Sequence, residues 1–167
     1  MNTMIGVGVV IIAFGLLPDT GVAQTGFAAQ LERVQEVPPL PSAGGTGTFT
    51  LNADGTELTY EVRVVGIPNV AASHFHNAAA GENGGVVRGI EGVFEGDVWV
   101  SSGVWSSNET DQPLTAELLE ELRAGNLYVN IHTADYGPGE IRGQVLLEGA
   151  TAVETWTWGQ IKSQHQK

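Results

Sequence analysis

The stretch that decides the fold is GTFTLNADGTELTYEVRVV, residues 47–65. Its first arm, residues 47–52, alternates apolar and polar side chains, as a strand with one buried face does. Asp54 and Gly55 then form one of the strongest short signals for a hairpin turn. Residues 58–65 return with the same alternation. The stretch therefore predicts a two-stranded antiparallel hairpin.

Further strand-like segments extend this hairpin into an all-β protein. The chain has 23 glycines and 7 prolines, which suit short strands joined by tight turns. One helix is predicted over residues 115–124, with Thr115 as its N-cap and Gly125 at its end. Together these features predict an antiparallel, Greek-key-like β-sandwich with one short capping helix. The remaining strands are predicted at residues 27–32, 70–77, 96–105, 127–133 and 140–147.

The chain divides into three predicted parts. Residues 1–23 contain an uncharged apolar run and end in small residues, which predicts a signal peptide cleaved after Ala23 or a retained N-terminal membrane anchor. Residues 24–148 form the sandwich. Residues 149–167 form a tail with Trp156 and Trp158, either a mobile end or a docking segment for a partner or membrane interface. We expect an extracytoplasmic protein, periplasmic or secreted.

The composition of the chain argues against several classes of function. The 19 acidic and 7 basic residues give a formal net charge of -12, which argues against nucleic acid or an anionic headgroup surface as the main partner. The chain has no cysteine, so disulfides, thiolate metal ligands and thiol catalysis are excluded. Nucleophile-elbow and phosphate-loop motifs are also missing from the sequence. We predict no catalytic residues.

Three of the four histidines lie in predicted strands. His74 and His76 are two residues apart, so they share one face of their strand. His132 belongs to a later strand, where it shares a face with Asn130. Two imidazoles at this spacing and a third from another strand are typical of a copper or zinc site on a β scaffold. In such a site the ligand nitrogens should converge to about 3–4 Å of each other.

Polar residues near the three histidines would support a metal site. If residues 127–133 and 140–147 are adjacent strands, His132, Asn130, Arg142 and Gln144 form one polar surface. Acceptors such as Asn130, Glu140 and Asn77 could then fix the histidine tautomers. The alternative needs no metal: His74 and His76 would bind loop backbone in residues 81–85, and His132 the turn at 135–139. Arg142 would then pair with Glu140 or Asp135.

The ordered set of motifs resembles chordin-type (CHRD) domains. The resemblance covers residues 27 to 147 and implies an extracytoplasmic β-sandwich. In animals such domains occur in an extracellular antagonist of growth-factor signalling, and bacterial members are small exported proteins. The motifs are FAAQL at 27–31, EVPP at 36–39, ASHFH at 72–76, LYVNIHT at 127–133 and GEIRGQ at 139–144.

The histidine pattern is also similar to the copper half of copper-zinc superoxide dismutases. This more distant resemblance implies that His74, His76 and His132 are copper ligands and that Arg142 guides an anion. A bridging histidine and a zinc cluster have no counterpart, because no histidine lies between His76 and Trp105. The implied site is either mononuclear or vestigial.

Two functions follow. The first is an exported, non-catalytic binding or accessory module, docked on a membrane or envelope complex through residues 1–23 or the tail. The second is a mononuclear copper-binding redox protein related to superoxide dismutase.

Overall fold

The computed structural model describes residues 23–36 and 43–149. The predicted signal peptide or anchor, up to residue 22, lies outside the described residues. So does the tail with Trp156 and Trp158. Within the described ranges, no helix has the length and apolar character needed to cross a membrane.

Strands dominate the described ranges, with one α-helix, α1, and a short 3-10 turn at Arg33–Gln35. Thr115 caps α1, since its hydroxyl oxygen accepts a hydrogen bond from the Leu118 amide, and Gly125 ends it in the left-handed conformation. The elements are β1 (Thr25–Glu32), β2 (Gly44–Leu51), β3 (Glu57–Val65), β4 (Val70–Asn77), β5 (Gly85–Gly89), β6 (Val93–Glu95), β7 (Val98–Ser106), α1 (Ala116–Ala124), β8 (Leu127–Thr133), β9 (Ile141–Gln144) and β10 (Leu146–Leu147).

The strands form one continuous antiparallel sheet in the order β5-β4-β8-β9-β1-β2-β3-β7-β6, and β10 pairs with β1. The sheet curls, so that its two halves face each other across the core. Its end strands β5 and β6 are joined by only residues 90–92. The prediction of an all-β fold with one short helix is confirmed. The two layers expected of a sandwich are two halves of a single sheet.

The core contains an aromatic cluster centred on Phe75 of β4. Its ring meets Phe49 and Tyr60 edge-on, with centroids 5.7 Å away in each case, and lies 5.1 Å from Trp105. Because side chains alternate along a strand, Phe75 faces the core while His74 and His76 face outward. One strand therefore contributes to both the core and the outer polar face.

Some predicted bounds were wrong. The strand expected over residues 140–147 breaks at Val145, because β9 pairs with β8 while β10 pairs with β1. Gly96, expected to open a strand, lies between β6 and β7 with a φ of 63°. The strands β5 and β6 were not predicted. By contrast, β4 and β8 have the predicted bounds.

Candidate metal centre

Strand register places the three histidines on one patch of the outer face. In the β4–β8 ladder, His74 lies opposite Asn130, His76 opposite Tyr128, and His132 opposite Ala72. The β8–β9 ladder then sets Asn130 opposite Arg142 and Tyr128 opposite Gln144. The expected adjacency of these two strands is therefore confirmed, and the polar side chains lie in rows beside the histidines.

The three imidazoles form a compact cluster. Ring centroids lie 4.9 Å apart for His74 and His132, 5.6 Å for His74 and His76, and 5.8 Å for His76 and His132. One possible ligand atom from each residue lies within 4.8 Å of the other two. An occupied site would need separations of about 3–4 Å, so side-chain adjustments of about 1 Å would close the set.

Each of these three histidines has one buried ring nitrogen that has no hydrogen-bond partner among the described residues. These atoms are Nδ1 of His74, Nε2 of His76 and Nε2 of His132. His76 is 7% exposed, whereas His74 and His132 are half-buried, so the cluster is open on one side. A buried polar atom without a partner is costly, and three in one place fit a ligand that satisfies them together.

The opposite ring nitrogens of two histidines are held by backbone. Nδ1 of His76 lies 3.0 Å from the Gly84 carbonyl, and Nδ1 of His132 lies 2.9 Å from the Gly137 carbonyl. A carbonyl can only accept, so each Nδ1 donates, which leaves each Nε2 as the possible ligand atom. In both residues, Nδ1 makes the backbone contact that was expected in the absence of metal. Nε2 remains available as the ligand that was expected in the presence of metal.

Local electrostatics favour neutral rings. Burial lowers the pKa of His74 below its ordinary value, and His132 and His76 lower it further. Burial also lowers the pKa of His76; the bond to Gly84 opposes this effect, and His132 and Arg142 add to it. Both rings are thus uncharged at neutral pH, which is the form that binds metal.

Tyr128 links His76 to Arg142. Its ring is stacked on His76 at a centroid distance of 4.9 Å, and the Arg142 guanidinium carbon lies 3.5 Å from the same ring centroid. The Gly84 amide donates to the Tyr128 hydroxyl at 3.1 Å, and Arg142 donates to the Glu82 carbonyl at 2.8 Å. The loop formed by residues 78–84 is thereby fixed over the sheet beside the histidines.

Arg142 is placed differently from its predicted role. It is 1% exposed, and its guanidinium is occupied by Glu82, Asn83, Gln144 and the Tyr128 ring. These contacts favour a clamp for the loop. Anion guidance by Arg142 stays a prediction.

Two of the predicted supporting residues, Glu140 and Asn130, also have defined contacts. Glu140 forms an ion pair with Arg33 and accepts a hydrogen bond from the Thr133 hydroxyl, so these residues occupy its carboxylate. The Asn130 amide nitrogen donates to the Pro138 carbonyl at 3.4 Å, and its buried oxygen has no partner within residues 23–36 and 43–149. Asn130 is therefore better placed than Glu140 to face the histidine row.

Sequence reasoning missed Glu36 as a site-adjacent residue. It is 5% exposed, and burial raises its pKa to about 7, although the charge of Arg142 lowers it. A side chain on Gly139 would meet both the Asn130 amide and the Glu36 carboxyl, so these groups lie close together. The only signal was that Glu36 opens the EVPP motif. Nothing in that motif indicates burial.

A scan against protein-family models matched the CHRD domain over residues 27–145. The match covers most of the chain, which therefore belongs to the CHRD domain family. CHRD domains are extracellular-type binding domains, so membership is consistent with a non-catalytic module that interacts with other proteins. Searches of curated proteins and of solved structures gave no match.

Proposed function

We propose that this CHRD domain is an extracytoplasmic, non-catalytic metal-binding module that holds one copper ion on His74, His76 and His132. The observation that carries the proposal is the set of three buried ring nitrogens, one on each of these histidines, that have no hydrogen-bond partner in the described part of the chain. A single cation would satisfy all three. The carbonyls of Gly84 and Gly137 would fix two of the rings with Nε2 available.

The donor set favours copper. Imidazole suits copper and zinc, and among divalent first-row ions copper binds a given nitrogen site most tightly. Neither thiolate nor a carboxylate belongs to the cluster. A bound copper ion would supply one-electron redox chemistry. The protein's own residues would hold the ion, keep the rings of His74 and His76 neutral and leave one side of the site open.

Copper retention tests this proposal. The untagged protein, loaded with copper and dialysed, should keep one ion per chain when measured by elemental analysis. His132→Ala should lose stoichiometric copper because one of three ligands is gone. His165→Ala, a change to the fourth histidine of the sequence, should retain it. Wild-type protein that holds no stoichiometric copper would refute the proposal, and zinc retained in its place would refute the choice of metal.

Docking on a membrane or envelope complex remains a separate prediction. It depends on residues 1–23 and on Trp156 and Trp158, almost all of which lie outside the described ranges. Family membership supports a binding role in general terms.

A further inference from the structure

Exposed carboxylates occur on the three loops that adjoin the histidines. Glu82 lies in the loop that His76 binds through Gly84. Asp135 lies in the turn that His132 binds through Gly137. Glu91 lines a cavity of about 250 Å³ together with His74. Each histidine thus has one exposed acidic residue on its neighbouring loop, and we call these three the loop carboxylates.

Positive charge near the site is neutralised or buried. In the ranges that the structure describes, Arg33 pairs with Glu140, Arg88 with Glu109, and Arg123 with Glu120. Arg63 lies near Glu61 and Glu95. Arg142 is buried under the loop of residues 78–84. These ranges contain no lysine, so no exposed and unpaired cation is available there to draw an anion toward the histidines.

We expect this charge pattern to favour cations over anions at the site. A concave region lined by one sign of charge raises the local concentration of the opposite ion and its association rate by about 10- to 1000-fold. His74 and His132 are half-buried, so the open side of the cluster faces solvent within this field. In such a field, cations would be attracted to the site and anions repelled from it.

We propose that the histidine site captures copper from solution as cargo, guided by the loop carboxylates, and that it does not process anions. This inference rests on the proposed function, since it requires that the three histidines bind copper. The copper ion itself is then the ligand for which the site is built. A partner would release copper to this site or accept copper from it.

Copper capture can be timed by stopped-flow quenching of tryptophan fluorescence, with His132→Ala subtracted as background. The test variant is Glu82→Gln/Glu91→Gln/Asp135→Asn. The matched control, Glu57→Gln/Glu148→Gln/Asp97→Asn, changes exposed carboxylates on other elements. Each triple variant changes the formal net charge from -12 to -9 by removing three carboxylates. The two triple variants therefore have the same total charge and differ only in the positions of the removed carboxylates.

At low ionic strength the test variant should capture copper about tenfold more slowly than wild type, and the control within about twofold. At about 0.5 M salt the three rates should converge because screening removes the field. Equal rates for wild type and test variant at low salt would overturn the inference. If copper is retained at equilibrium in that case, the proposed function survives. If no copper is retained, both the further inference and the proposed function are refuted.

A second experiment uses azide, an anion that binds copper. At low ionic strength azide should bind the copper-loaded test variant more tightly than copper-loaded wild type, because the test variant lacks the repulsion by the loop carboxylates. The charge of the bound copper is common to both proteins and cancels, and the difference should vanish as salt increases. Azide binding that is equal in the two proteins at low salt, or tighter in wild type, would overturn the inference.

Discussion

Gly84→Ala should destabilise the protein by about 2–4 kcal/mol, near the upper end of single-substitution effects. A Cβ atom at this position would overlap the backbone carbonyl of Asn77, so the loop would have to shift. The shift would break two hydrogen bonds, from the Gly84 amide to Tyr128 and from His76 to the Gly84 carbonyl. Urea unfolding of the metal-free protein measures the loss.

Gly85→Ala is the matched control for this prediction. A Cβ on Gly85 would have no atom within 4 Å, so the substitution should cost less than about 1 kcal/mol. The two alanine variants have the same composition and differ by one position. Copper affinity should fall only in Gly84→Ala, since only that change releases the His76 ring. Equal stability of the two variants would contradict the role assigned to Gly84.

Glu36→Gln should stabilise the protein at pH 8 and have little effect at pH 4. The folded-state pKa of Glu36 is raised to about 7 from an ordinary value of 4.5. The folded protein therefore keeps a proton that the unfolded chain releases, and the resulting stability is full below about pH 4.5 and lost as pH rises through 7. At about 1.4 kcal/mol per pKa unit, the difference reaches about 3 kcal/mol at most.

The pH dependence should be read as the difference between wild type and variant. His74 and His76 have lowered pKa values, so their own contribution to stability is lost as pH falls. That contribution is common to both proteins and cancels. Glu57→Gln, an exposed substitution, should follow the wild-type profile. A Glu36→Gln variant whose advantage did not grow between pH 4 and pH 8 would count against burial of an ionisable carboxyl.

Much of this fold was readable from alternation. The hairpin of β2 and β3 was indicated by its Asp-Gly turn, and β8 by apolar residues at every second position. The same rule placed His74 with His76, and Asn130 with His132. Each of these inferences uses only the twofold period of a strand, which is a local property of the chain.

What the sequence could not supply is non-local. Which ladder a residue joins depends on its partner strand, so the change of partner at Val145 left no local signal. The burial of Arg142 and Glu36 depends on surrounding loops and elements distant in sequence. In particular, the loop of residues 78–84 is held by contacts across more than 40 positions in the sequence. Charged residues are rarely buried, so their chemistry alone predicts the opposite.

The central claim is that three histidines hold one copper ion, and the number of coordinated imidazoles tests it most directly. Pulsed electron paramagnetic resonance of the protein with one equivalent of copper(II) should detect three imidazole ligands. One should be lost in each of His74→Ala, His76→Ala and His132→Ala, and none in His165→Ala. A wild-type spectrum with fewer than three imidazoles, or one altered by His165→Ala, would contradict the claim.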